Sequence, residues 1–191
     1  MIGSLNGKLI EKNPTELLIE CAGVGYEVKI SLNTFTQLSD SENIKLHTKL
    51  IVREDAQILY GFFTKEEREM FNFLISVSGI GPNTAMIMLS SLTPEDIAHA
   101  IQTDDVTTIQ GIKGIGAKTA QRVIIDLKGK VLKFSSSNEN MFSQNNTKRF
   151  DALNALVSLG FDKKSTEKVL DKLDTGEQTV EQLIKDALRL L

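Results

Sequence analysis

Gly111-Ile-Lys-Gly-Ile-Gly-Ala-Lys-Thr-Ala120 decides how this chain is read, because a second stretch upstream repeats it. Ile109, Ile112, Gly114, Ile115, Gly116 and Ala120 fall at the same relative positions as Leu74, Val77, Gly79, Ile80, Gly81 and Ala85. Each copy reads as an apolar helix end, a tight Gly-x-Gly turn that tolerates positive φ, and a second helix that begins at once. That pattern is a tandem pair of helix-hairpin-helix motifs.

A glycine turn lets the backbone approach a ligand closely, and the helix that follows offers unpaired N–H groups and a positive dipole end to an anion. Two units in tandem point to a duplex held through its phosphates without base reading. Two nucleotide-binding motifs fail. A P-loop requires glycine immediately before Lys-Ser/Thr, where Ala117 precedes Lys118-Thr119. A dinucleotide fingerprint requires a third glycine, where Thr84 and Thr119 stand. The remaining alternative is a pair of αα-turns that use glycine only for packing.

The net charge of −3 argues at first against a nucleic-acid partner, but its distribution is uneven. Between Gly111 and Lys133, Lys113, Lys118, Arg122, Lys128, Lys130 and Lys133 face Asp126 alone, a local net charge of +5. One basic patch in an acidic protein implies local, geometry-dependent binding. The single Cys21 and the two separated histidines, His47 and His99, supply neither a disulfide nor a zinc site. No metal or other cofactor is expected. No apolar run approaches the ~18 residues of a membrane span, and the start lacks a signal-like core. A cytoplasmic protein with no membrane partner is the expectation.

Residues 1–63 alternate apolar and polar with period two in five short runs, with a non-strand crossing near Leu32–Leu38, as in an OB-like Greek-key barrel, with another compact β-barrel as the alternative. Arg53-Glu54-Asp55 forms the turn between the last two strands. It reads as a solvated tip, as a metal-binding pair in a nuclease, or as carboxylates that repel phosphates. Residues 64–133 switch to helical period. Thr64-x-x-Glu67 marks a capping box, and Met86, Met88 and Leu89 form a core stripe. Residues 134–147 are low in apolar content and read as a flexible linker. Residues 148–191 read as a three-helix bundle whose Leu156-Val-Ser-Leu-Gly160-Phe161 turn resembles ubiquitin-associated (UBA-like) modules. The fold class is therefore multidomain, β then α: barrel, tandem hairpins, small bundle.

Met1-Ile-Gly-Ser-Leu-Asn-Gly7, Gly23-Val-Gly-Tyr-Glu-Val28, Arg53-Glu-Asp-Ala-Gln57, Leu59-Tyr-Gly-Phe62, both hairpin turns and the C-terminal Leu-Gly-Phe161 together resemble the RuvA family of bacterial Holliday-junction-binding proteins. The resemblance covers all three segments in order. It implies a non-catalytic subunit of a branch-migration complex acting in recombination and DNA repair within the SOS response to DNA damage. Such a subunit assembles as a homotetramer, one or two per four-way junction, with an octamer on DNA in the second case. The hexameric RuvB-type ATPase would supply the motor, with a RuvC-type resolvase as a further partner. Gly79, Ile80, Gly81 and Asn83 of the first hairpin and Lys113, Gly114, Ile115, Gly116, Lys118, Thr119 and Arg122 of the second would contact the arms. Glu54 and Asp55 would form an acidic pin at the crossover, and Leu156, Leu159, Phe161 and Leu188 either a motor-facing surface or the core of the three-helix bundle. Ser4, Asn6 and Asn83 depart from the basic residues common in the family. A junction nuclease using Glu54 and Asp55 and a general duplex-binding module are the rival functions.

Overall fold

The computed structural model describes residues 1–39, 42–139, 144–173 and 178–191, with side chains described outside 132–147 and 150. The chain forms two compact units, Met1–Ser135 and Ser136–Leu191.

The first unit begins with a closed barrel of β1 (Ser4–Asn13), β2 (Glu16–Cys21), β3 (Val24–Ile30), β4 (Asn43–Val52) and β5 (Gln57–Phe62), ordered β1-β2-β3-β5-β4. All pairings are antiparallel except β3 with β5, which run parallel through Lys29↔Tyr60 and Ile30↔Gly61. Leu5, Leu17, Ile19, Val28, Ile30, Ile44 and Leu46 point inward and fill the interior. The period-two side-chain alternation places them there. Residues Leu32–Leu38, expected as a non-strand crossing, contain α1 (Leu32–Gln37), capped by the Ser31 side chain accepting from the Thr34 N–H.

Five helices follow: α2 (Lys65–Ile75), α3 (Pro82–Ser91), α4 (Pro94–Gln102), α5 (Val106–Gln110) and α6 (Ala117–Glu139). Thr93 caps α4 in a reciprocal box with Asp96, and Pro94 takes the first helical position. The barrel and the hairpins share a core, in which Tyr60 and Phe62 of β5 are buried with Met70, Phe71, Met88 and Leu89. The Phe71 ring lies 5.1 Å from that of Tyr60 and 5.0 Å from that of Phe62. Tilted aromatic pairs of this kind contribute ~0.5–1.5 kcal/mol each beyond their area burial. Residues 1–63 and 64–133, read in sequence as separate segments, therefore pack as one body.

The second unit consists of α7 (Gln144–Ser158), α8 (Lys163–Leu173) and α9 (Val180–Leu188) around Ala152, Leu156, Leu170, Leu183 and Ala187. Gly160 at φ 101° ends α7, where the Phe161 N–H reaches the Leu156 carbonyl at 3.2 Å. Thr179 and Gln182 form a reciprocal capping box on α9. The stretch 134–147, expected as a linker from composition, carries helix to Glu139 and again from Gln144. It contains neither glycine nor proline, so its weak helix formers leave the backbone free to continue. Residues 140–143 of that stretch lie outside the described residues.

Candidate nucleic-acid interface

The two hairpins repeat each other in three backbone hydrogen bonds. The Val77 N–H donates to Leu74 at 3.1 Å and the Ile112 N–H to Ile109 at 3.3 Å. Ile80 donates to Val77 and Ile115 to Ile112, both at 3.1 Å. Ala85 then opens α3 on the Gly81 carbonyl at 3.0 Å, and Ala120 opens α6 on the Gly116 carbonyl at 2.9 Å. Gly79 at φ 94° and Gly114 at φ 90° occupy backbone space that L side chains rarely adopt. Two segments at one sequence offset thus build one turn twice.

The side chains of Ile80 and Ile115 are buried and anchor each turn from beneath. These two residues can meet a ligand only through backbone. Around Gly79, Gly81, Gly114 and Gly116 an added Cβ would find no atom within 4 Å, so all four glycines face open space. Gly81 caps α3 without a side-chain hydrogen bond, which leaves the N–H groups of Asn83 and Thr84 uncapped by a side chain, Pro82 having none. Each turn therefore presents bare backbone at a positive helix end, an arrangement suited to a phosphate.

The surrounding side chains divide into two groups. Lys113 and Lys118 are exposed and make no ion pair or hydrogen bond among the described residues, and Thr119 is half-buried beside them. Other cations of the patch are engaged within the fold. Lys128 pairs with Asp104 at 2.5 Å, Arg122 donates to the Ser78 carbonyl at 3.3 Å, and Lys130 donates to the Ser76 hydroxyl at 3.1 Å. The Lys133 side chain lies outside the described residues. Asn83, at the position in the first hairpin that Lys118 fills in the second, is exposed and accepts a long 3.4 Å bond from the Tyr60 hydroxyl. Burial raises the pKa of that phenol, so it remains a donor.

Glu54 and Asp55 are exposed at the β4–β5 turn, which the Arg53 N–H closes on the Ala56 carbonyl at 2.8 Å. Among the described residues no three His, Cys, Asp or Glu side chains converge as a metal-binding group would require. In the second unit, Leu156 is buried and belongs to the bundle core, the second of its two expected places, and not to an exposed surface. It points inward because it packs against Leu170 and Leu183 from the facing helices. Phe161 is half-buried against the same core, whereas Leu159 is 64% and Leu188 43% exposed. Val157 and Leu190 are also exposed, a feature that alternation in so short a helix does not reveal from sequence. Among the described residues no helix is long and apolar enough to cross a membrane.

Comparison with known proteins matches three family models along the chain. They are the RuvA N-terminal domain over residues 1–61, a SAM-like helix-hairpin-helix tandem over 71–129, and the RuvA C-terminal domain over 148–191. The chain is similar over its full length to proteins named Holliday junction branch migration complex subunit RuvA. Identity is 53% to that of Christiangramia forsetii and 54% to that of Flavobacterium psychrophilum, with all of each relative covered. It is 40% to that of Legionella pneumophila, with 98% of the relative covered. With its barrel, paired hairpins and C-terminal helices each matched in order, the chain belongs to the RuvA family.

Proposed function

We propose that this chain binds four-way DNA junctions as a subunit of a branch-migration complex, gripping each arm through two equivalent backbone turns. The observation that carries the reading is the repetition of three backbone hydrogen bonds in the two hairpins, with four glycines open to solvent ahead of helix N-termini. Two equivalent turns suit a ligand whose charge repeats at regular spacing, and duplex DNA is such a ligand. Backbone N–H groups of Gly79, Gly81, Gly114 and Gly116 meet phosphates, while Lys113, Lys118 and Thr119 add side-chain contacts at the second turn. Asn83 adds a neutral contact at the first. None of these groups reads a base edge, so selection of a junction over linear duplex arises from assembly.

That assembly is a homotetramer, one or two per junction, with Glu54 and Asp55 of each copy turned toward the crossover. Carboxylates close to phosphates repel them and keep separating strands apart without any covalent step. The chain is not itself an enzyme; a RuvB-type hexameric ATPase supplies the work, and a RuvC-type resolvase acts on the same junction. The C-terminal bundle recruits the motor through exposed Leu159 and Leu188, with Phe161 at the edge of the same surface. The setting is the cytoplasm, in recombination and repair. Adding the chain to a RuvB-type ATPase and labelled four-way DNA should produce ATP-dependent strand separation that neither component yields alone. Equal separation by the motor with and without the chain contradicts the reading.

A further inference from the structure

We infer that Arg122 is a positioning residue that fixes the first hairpin against the second by donating a guanidinium N–H to the protein's own backbone. The inference rests on the proposed grip, because it assigns the spacing of the two phosphate-binding turns to a single side chain.

Arg122 lies on α6, the second helix of the second hairpin, yet its guanidinium donates to the carbonyl of Ser78, the residue that enters the Gly79 turn of the first. The contact spans the whole distance between motifs in sequence and reaches the turn itself. Lys130, two turns further along α6, donates to the hydroxyl of Ser76, the C-cap of α2. Two cations of α6 thus sit at the C-terminal end of α2, where unpaired carbonyls and the negative dipole end attract positive charge. Arg122 is exposed and has donors to spare, but the one with a partner points inward along the hairpin pair.

The tie runs in one direction. At the offset that relates Gly114 to Gly79, the position matching Arg122 is Ile87, an apolar residue 44% exposed that can donate nothing to the second turn. The consequence is that the phosphate-binding charge of this block is carried by Lys113 and Lys118, with Arg122 acting through the Ser78–Gly79 backbone.

Amide hydrogen exchange on the DNA-free full chain and junction titration across salt together test the assignment. In Arg122→Ala, exchange at the Val77 and Ile80 amides should rise roughly fivefold, as loss of a charge-assisted hydrogen bond implies, while that at Ile112 and Ile115 stays unchanged. Arg122→Lys, which keeps the charge without the guanidinium fork, should show a rise at the same two amides. Junction affinity of Arg122→Ala should fall with the slope of log K against log[salt] unchanged, whereas Lys118→Ala should lower that slope by ~0.9 for each phosphate left without its cation. Unchanged exchange at Val77 and Ile80, or a slope that drops as it does for Lys118→Ala, overturns the assignment. Because the exchange arm contains no DNA, failure of the wild-type chain to bind a junction would count against the proposed function and leave this result standing on its own.

Discussion

Thr34 of the barrel donates its hydroxyl to the carboxylate of Glu67 on α2 at 2.5 Å, and Ser31 donates to the other oxygen of the same group. Thr34 also accepts from the Phe63 N–H at 3.0 Å, and the Ser31 oxygen accepts from the Thr34 N–H at 2.9 Å. A carboxylate only 1% exposed therefore joins the crossing of the barrel to the first helix of the hairpin block. Since the turn at Gly79 follows directly from α2, this joint sets the hairpins relative to the strands that carry Glu54 and Asp55.

Replacing Glu67 with alanine leaves two buried hydroxyls without their acceptor and should cost roughly 2–4 kcal/mol in urea denaturation. Glu67→Gln should show a pH signature. Burial raises the Glu67 pKa above its ordinary 4.5, outweighing the hydroxyl hydrogen bonds that lower it. The folded state thus binds this proton more readily than the unfolded chain, and the penalty for the charged form is fully present above the folded pKa. As pH falls through that value toward 4.5, the penalty is relieved in the wild type and has no counterpart in Glu67→Gln. The stability difference between the two should shift in favour of the wild type over that window; a difference independent of pH contradicts a buried ionised carboxylate.

The four glycines separate folding from ligand approach. Gly79→Ala and Gly114→Ala force a side chain into φ near 90° and should each cost ~1–2 kcal/mol of stability. Gly81→Ala meets no atom within 4 Å and sits at φ −86°, so thermal stability should hold. Junction affinity should nevertheless fall severalfold, because the new methyl stands where phosphate would approach. Unaltered affinity in Gly81→Ala would remove the first hairpin from the interface.

Neutralising the pin by Glu54→Gln with Asp55→Asn should leave junction affinity unchanged or tighter, since it removes exposed like charge from beside phosphates. Weaker binding would contradict a repulsive role. Incubation with magnesium adds a second arm: cleavage of four-way DNA by the wild type that disappears in the double variant would favour the nuclease.

In the C-terminal bundle, Leu159→Ser and Leu188→Ser should reduce stimulation of a RuvB-type ATPase while circular dichroism remains that of the wild type, because both side chains are exposed. Leu156→Ala should instead melt the bundle, at a cost of ~2–5 kcal/mol for a fully buried leucine. A folded Leu156→Ala bundle would place that residue outside the core.

The hairpins were legible because their information is local: glycines at fixed spacing specify a turn, and repetition at one offset specifies it twice. The barrel was legible through alternation. Glu67 shows where this ends. Thr64-x-x-Glu67 reads as a capping box, and the Thr64 hydroxyl does accept from the Glu67 N–H at 3.1 Å, but the carboxylate turns to Ser31 and Thr34 instead. Nothing in sequence places a crossing helix at residues 32–37 opposite that carboxylate. The same holds for Arg122, which counts as free charge in a linear reading until the fold brings Ser78 beside it. Leu156 and Leu159, three apart on α7 and the turn that ends it, receive opposite environments because one faces α8 and α9 and the other lies at the helix end.

Two backbone turns per chain, arrayed by assembly, are proposed to select a four-way junction. Competition binding at fixed salt, with labelled four-way junction challenged by unlabelled linear duplex of the same arm sequence, tests that selection most directly. Linear duplex should displace the junction only at a large molar excess, and the preference should survive scrambling of the arm sequences. Displacement by an equal concentration of linear duplex would contradict it.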